Sequence, residues 1–331
     1  METYFQALLS NNHFMGSVLI DCGGEILLSK GYGMANLEHD VLNLPFTKFR
    51  IGSITKQFTA TAILKLQEQN LLDVNNSLAI YLPEYPYGSQ ITVHQLLNHT
   101  AGIPSYTSFE DIKSKTKTGI ELDELIAYFC DRSLDFTPGE RFSYSNSGYV
   151  VLTKIIEVVS GLSYADYLQK YIFEPLKMAD SGYDFAQTVL PNRATGYTFT
   201  SKVYQNADFF DISLASGAGG LYSTVEDLNK WSLSLYTDAV ISQVSRDAMF
   251  APTVDEEEKV YYGYGWRIET QYNRDCISHN GGIEGFVAHL ARYPQKRVTI
   301  IVLSNLATSP ILKIEKDLGA IVFGESYELP K

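Results

Sequence analysis

Ser53-Ile54-Thr55-Lys56 opens the stretch SITKQFTATAILKLQEQ, residues 53–69, which holds neither Pro nor Gly and repeats Phe58, Ala62, Ile63, Leu64 and Leu66 at helical spacing. The spacing predicts a helix over 53–69. Residues three apart on a helix point the same way, so the Lys56 amine reaches the Ser53 hydroxyl. A serine hydroxyl is a weak nucleophile until a base takes its proton. A lysine does this only when burial or neighbouring positive charge lowers its pKa toward neutrality. The start of a helix also favours developing negative charge, through its dipole and free N–H groups. Taken alone, the pair reads as readily as an N-cap serine with a solvated lysine.

Upstream of this helix, residues 3–11 read as a short helix, and Gly16–Cys22 and Glu25–Gly33 as two strands around a Cys-Gly-Gly turn. Phe49–Gly52 reads as a short strand leading into it. Downstream, Val93–Phe250 is mostly helical patches (Leu122–Cys130, Tyr149–Val159, Tyr164–Ile172, Val225–Leu235) joined by Gly, Pro, Ser and Asn loops, with little strand character. After Val260 the runs Tyr261–Glu269, Cys276–His279, Val287–Tyr293 and Val298–Leu303 read as antiparallel strands. They are separated by turn residues such as Asn280-Gly281-Gly282 and Pro294-Gln295, and the helix Ile311–Val322 follows. The expected fold is α/β (α+β): an antiparallel sheet flanked by helices and built from both chain ends, residues 1–90 and 251–331, with a mostly helical domain inserted over 91–250. The active site is expected in the groove between the two. No internal repeat or low-complexity tract interrupts this plan.

Two further stretches carry polar groups suited to chemistry at Ser53. In Phe142-Ser143-Tyr144-Ser145-Asn146 a loop enters the apolar helix Gly148–Val159. Tyr144 can pass a proton to a leaving group, and the Asn146 amide can steady Lys56 and bind a substrate carbonyl. An aromatic core residue beside an N-cap Asn is the equally weighted plain reading. In Ser278-His279-Asn280-Gly281-Gly282 the glycines allow close approach to the backbone, so the N–H groups of Gly282 and Ser53 can form an oxyanion hole. His279 can bind an anionic substrate group or donate to the reacting centre. A glycine turn with an incidental histidine is the alternative.

The 331 residues correspond to about two units of roughly 150 residues, or one large domain with an insertion. With 45% hydrophobic and 19% charged residues the chain can bury a large core and is too little charged for disorder. Its 26 basic and 38 acidic residues give a net charge of −12, which disfavours a nucleic-acid partner. Lys113, Lys115 and Lys117 read as a solvated loop. Three scattered cysteines and six histidines without close ligand spacing leave no metal site and no disulfide framework in view. No run approaches the ~18 apolar residues of a membrane span. Met1-Glu2-Thr3-Tyr4 lacks the basic, apolar character of a secretory signal, so the chain is expected to begin at mature structure.

Together the three stretches resemble the serine β-lactamase and penicillin-binding protein superfamily, whose signatures S-x-x-K, Y-x-N and K-T-G or H-T-G occur in that order. The resemblance covers nearly the whole chain and is closest to class C β-lactamases and related DD-peptidases and esterases. Lys30-Gly31-Tyr32-Gly33, Leu96–Ile103 and Gly217–Asp227 also look like this family. The resemblance implies an acylated nucleophile at Ser53, an activating base at Lys56 and a proton relay at Tyr144. It implies substrate binding by Asn146, His279 and Asn280, oxyanion donors at Ser53 and Gly282, and neither metal nor cofactor. His279 and Asn280 stand where most relatives have Lys and Thr or Ser. Lys117-Thr118-Gly119 is a literal K-T-G but precedes Tyr144, and His99 is read as part of a packed turn. The expected activity is a DD-peptidase-like or esterase-like serine hydrolase acting through an acyl-enzyme on D-amino-acid peptides or small esters. A class C-type β-lactamase and a non-catalytic cell-wall peptide binder are the alternatives. The implied partner is a small-molecule or peptide substrate, and the implied location periplasmic or extracellular.

Overall fold

Val298–Ser304 reads VTIIVLS and is buried at every residue, as a strand covered on both faces must be. In chain order the main sheet comprises β1 (Gly16–Cys22), β2 (Glu25–Tyr32), β3 (Val254–Glu257), β4 (Val260–Tyr262), β5 (Arg267–Gln271), β6 (Arg274–Ile283), β7 (Phe286–Tyr293) and β8 (Val298–Ser304). The spatial order is β3-β4-β5-β6-β7-β8-β1-β2, antiparallel throughout. The two chain ends therefore meet where β1 pairs with β8, Leu19 opposite Ile301 and Val18 opposite Val302. The computed structural model describes residues 1–330; Lys331 and the side chain of Lys113 lie outside the described residues.

The period-two alternation sorts these strands onto two cores. Val18, Ile20, Ile300 and Val302 face outward against α1 (Glu2–Ser10) and the C-terminal helix Ile311–Phe323, with Tyr4, Phe5, Leu8, Ile314 and Leu318 in the same cluster. Burial of each such aliphatic side chain contributes about 1.5–3 kcal/mol. Leu19, Leu290, Ile301 and Leu303 face inward and join α2 (Thr55–Glu68) and α3 (Asn146–Ser160) in one larger core. α4 (Val225–Ser234) falls within the stretch expected to be the helical part, yet it packs on the sheet. Asn229 Nδ2 donates to Asp21 Oδ2 at 3.2 Å, and the Ser232 and Thr299 hydroxyls meet at 2.7 Å. The C-terminal helix is α5.

Several expectations are corrected. The helix expected over 53–69 is a 3-10 turn at Gly52–Ile54 followed by α2, and every residue of α2 from Thr55 to Leu64 is buried. Several of its polar groups are paired inside the core, with Trp231 Nε1 donating to Gln57 Oε1 at 3.0 Å and the Thr59 hydroxyl to the Gly217 carbonyl at 2.7 Å. Phe49–Arg50 pairs with Leu221–Ser223 in a separate three-stranded sheet. The middle of the chain also holds the hairpin Tyr197–Thr200 and Val203–Asn206. The run 261–269 is two strands, β4 and β5, because Gly263 N donates to Trp266 O and the intervening Tyr264 and Trp266 are buried in the core. Asn280-Gly281-Gly282 is no turn: it lies inside β6, opposite His289, Ala288 and Val287. Among the described residues no single helix is long and apolar enough to cross a membrane.

Candidate active site

Two glycines explain why β6 continues through the segment read as a turn. A Cβ on Gly281 would lie 1.9 Å from Ile51 O, and one on Gly52, whose φ is +50°, 2.7 Å from Gly282 N. Only glycine permits this approach. The chain leaves the Phe49–Arg50 strand, makes a 3-10 turn over Gly52–Ile54 and enters α2, so Ser53 lies just before the α-helix and against β6. The backbones of Ser53 and Gly282, the two expected oxyanion donors, are thereby brought together.

Lys56, wholly buried in the first turn of α2, has its Nζ 2.8 Å from Asn146 Oδ1, 2.7 Å from the Ala218 carbonyl and 3.2 Å from Ser53 Oγ. Burial pushes the amine well below the ordinary lysine range, and the Arg267 charge adds to the effect. A neutral amine has two hydrogens and one lone pair. Asn146 and Ala218 accept the two hydrogens, which leaves the lone pair for the Ser53 hydroxyl. A lysine amine held neutral here would have its lone pair directed to the Ser53 hydroxyl.

The Tyr144 ring centroid is 4.8 Å from Lys56 Nζ. Burial raises the phenol above its ordinary pKa, while the adjoining Ser53 hydroxyl and Arg267 oppose the shift, so Tyr144 keeps its proton at neutral pH. The loop that carries it is held by the segment containing His99. Ser143 N donates to the His99 carbonyl at 2.9 Å and Ser145 N to His99 Nδ1 at 3.2 Å. The buried His99 ring packs 4.3 Å from that of Tyr144. Asn146 opens α3, its N–H donating to Ser105 Oγ and its side-chain amide to Thr107 Oγ1, both at 3.1 Å.

His279 is placed differently from the expectation that it binds an anionic substrate group. Its side chain is buried, with Nδ1 2.6 Å from the Asn280 carbonyl and Nε2 2.9 Å from the Tyr262 hydroxyl. A carbonyl only accepts, so Nδ1 carries the proton and Nε2 accepts from Tyr262. Burial, with Arg267 and Lys56 nearby, holds the imidazole well below its ordinary pKa, so it is neutral. The permanent cation is Arg267. It lies opposite Ser278 across β5 and β6, its guanidinium 5.9 Å from the Tyr144 ring, with Glu256 carboxylate contacts at 2.7 Å and a hydrogen bond to Asn280 Oδ1. Lys117 is exposed on a turn.

The sequence model of the family described as Beta-lactamase matches residues 1–321. The chain belongs to the β-lactamase family. It is 31% identical to Penicillin-binding protein 4* of Bacillus subtilis (strain 168) over 350 aligned residues, covering 100% of this chain and 77% of the relative. A penicillin binding protein structure from Bacillus halodurans superimposes with a TM-score of 0.85 at 27% identity, covering 98% of this chain and 99% of that one. The D-amino acid amidase of Ochrobactrum anthropi SV3 shares the fold, with a TM-score of 0.86 at 23% identity and 98% coverage of both chains. This β-lactamase-family chain is a serine hydrolase of the β-lactamase/penicillin-binding protein superfamily.

In this serine hydrolase a cavity of about 410 Å³ opens beside Ser53, lined also by Tyr106, Asn146, Gly282, Glu284 and Phe286 among others. Sequence reasoning passed over Arg267, Glu284 and the Ala218 carbonyl. The carbonyl has no side-chain signal. Arg267 becomes a neighbour of Tyr144 only through the β5–β6 register. Glu284 had a signal, lying two residues beyond Gly282, but the glycine run drew attention to the backbone.

Proposed function

We propose that this serine hydrolase cleaves D-amino-acid peptides, amides or small esters through an acyl-enzyme on Ser53. The observation that carries the reading is the buried Lys56 amine, whose Nζ lies 3.2 Å from Ser53 Oγ and is otherwise held by Asn146 Oδ1 and the Ala218 carbonyl, with burial pushing its pKa down. Ser53 Oγ attacks the carbonyl carbon as its proton passes to Lys56, and the carbonyl oxygen takes up negative charge toward the N–H groups of Ser53 and Gly282. Collapse breaks the bond to the leaving group, which receives a proton through Tyr144. Water then adds to the acyl carbon with the same groups acting in reverse. A non-catalytic peptide binder would have no use for a neutral lysine held against a serine.

Intact-mass spectrometry after incubation with a penicillin and with an activated D-amino-acid ester tests this. The expected result is a single covalent adduct on the wild type and none on Ser53→Ala. Hydrolysis that survives Ser53→Ala at the wild-type rate overturns the mechanism. The penicillin-binding relative makes penicillin a reasonable probe, and the amidase neighbour in the fold directs the substrate panel toward D-configured amides.

A further inference from the structure

We propose that Glu284 binds an ammonium group carried by the acyl half of the substrate, which makes this site selective for cationic acyl donors. This inference rests on the acyl-transfer reading above. Cleavage leaves the acyl half on Ser53 and gives a proton to the departing half. With Tyr144 as proton relay, the departing half lies toward Tyr144, Asn280 and Arg267. None of those three lines the 410 Å³ cavity beside Ser53, so the acyl half occupies that cavity.

Glu284 is the one charged side chain among the described residues lining it. It is exposed to solvent at the cavity wall, and among the described residues it makes no ion pair. The neighbouring cations are already engaged. Arg50 Nε is 2.6 Å from Asp184 Oδ2 and its Nη1 donates to the Phe210 carbonyl at 3.1 Å, while Arg193 Nη1 is 2.6 Å from Asp184 Oδ1. A second opening of about 740 Å³ shares Phe210, Glu284 and Phe286 with the first, so the carboxylate stands where the two meet. Crowding by protein atoms raises the Glu284 carboxyl above its ordinary pKa, with Asp208 acting in the same direction and Arg50 against it. A bound ammonium group supplies the counter-charge that the protein withholds.

Two sources of that group fit the geometry: the α-ammonium of an N-terminal acyl residue, or a side-chain amine reaching toward the second opening. The experiment compares two pairs of p-nitroanilides, D-alanyl with N-acetyl-D-alanyl, and N-acetyl-D-lysyl with N-acetyl-D-norleucyl. Each is measured on the wild type, Glu284→Gln and Glu284→Lys. In at least one pair the wild type is expected to prefer the cationic member, and the kcat/KM ratio is expected to fall by about tenfold in Glu284→Gln, mostly through KM. Glu284→Lys should invert the preference toward an N-succinyl acyl group. The pair that responds identifies the source. Ratios that both substitutions leave unchanged in both pairs overturn the proposal, as does a wild type that favours the neutral members. Failure of the Ser53 reading shows separately, as hydrolysis that survives Ser53→Ala.

Discussion

Arg267 stands on a different strand from every residue read as catalytic, yet it should set the pH at which Lys56 becomes a base. Lys56 Nζ and the Arg267 guanidinium are 4.8 and 5.9 Å from the centroid of the same Tyr144 ring, which places the two cations no more than about 11 Å apart. At that spacing and an effective dielectric constant of about 20, one unit charge contributes roughly 1.5 kcal/mol, or about one pH unit in the titration of Lys56. A neighbouring cation disfavours the ammonium form, so removing it raises the Lys56 pKa. Glu256, left without its partner, acts in the same direction. In Arg267→Gln the rising limb of kcat/KM should therefore move about one pH unit to the alkaline side, while Arg267→Lys, which keeps the charge, should leave it near the wild-type position. The assay is a pH–rate profile on a neutral p-nitrophenyl ester, with thermal melts to show that both variants fold. A Gln variant that folds and turns over with an unmoved limb would refute the electrostatic link.

Stability should also depend on pH through Glu315, a buried carboxyl that accepts from Tyr293 at 2.9 Å and is pushed up to about 7 by burial. Between about pH 4.5 and 7 the folded chain holds more protons than the unfolded one, so this group lowers stability as pH rises through that window, by up to roughly 3 kcal/mol once it is crossed. Glu315→Gln should remove that loss, raising Tm relative to wild type at pH 8 more than at pH 4.5, and equal changes at the two pH values would contradict it. Gly281→Ala should lower stability by roughly 1–3 kcal/mol or more, because its Cβ would meet Ile51 O at 1.9 Å, whereas a Cβ on Gly282 meets nothing within 4 Å. Urea unfolding of Gly281→Ala and Gly282→Ala compares them, and equal losses would show that β6 does not seat the Ser53 turn as described.

The three stretches around Ser53, Tyr144 and His279 were legible because each combines residue types with a local spacing that chemistry requires. Ser53 and Lys56 meet through one turn of chain, and Asn146 enters at the start of a helix with a strong apolar pattern. Legibility failed where a residue's partner is remote. His279 matched a motif position, but Tyr262 and the Asn280 carbonyl occupy its two nitrogens, and a permanent cation, Arg267, stands one strand away. The Asn-Gly-Gly segment carries turn-forming residues, yet its glycines serve close packing against Ile51 and Gly52.

By itself the sequence determined the antiparallel sheet drawn from both chain ends, since the short, near-continuous apolar runs in Gly16–Cys22 and Val298–Ser304 mark strands covered on both faces. It also placed Ser53 and Lys56 one turn apart, a contact that needs only local geometry. The tertiary structure alone decided the charge state and reach of the site. Desolvation of Lys56, the neutrality of His279, the placement of Arg267 and the opening of the cavity beside Ser53 and Glu284 depend on strand register and packing between segments far apart in the chain. Electrostatic energies follow distance and burial in space, which residue order does not encode.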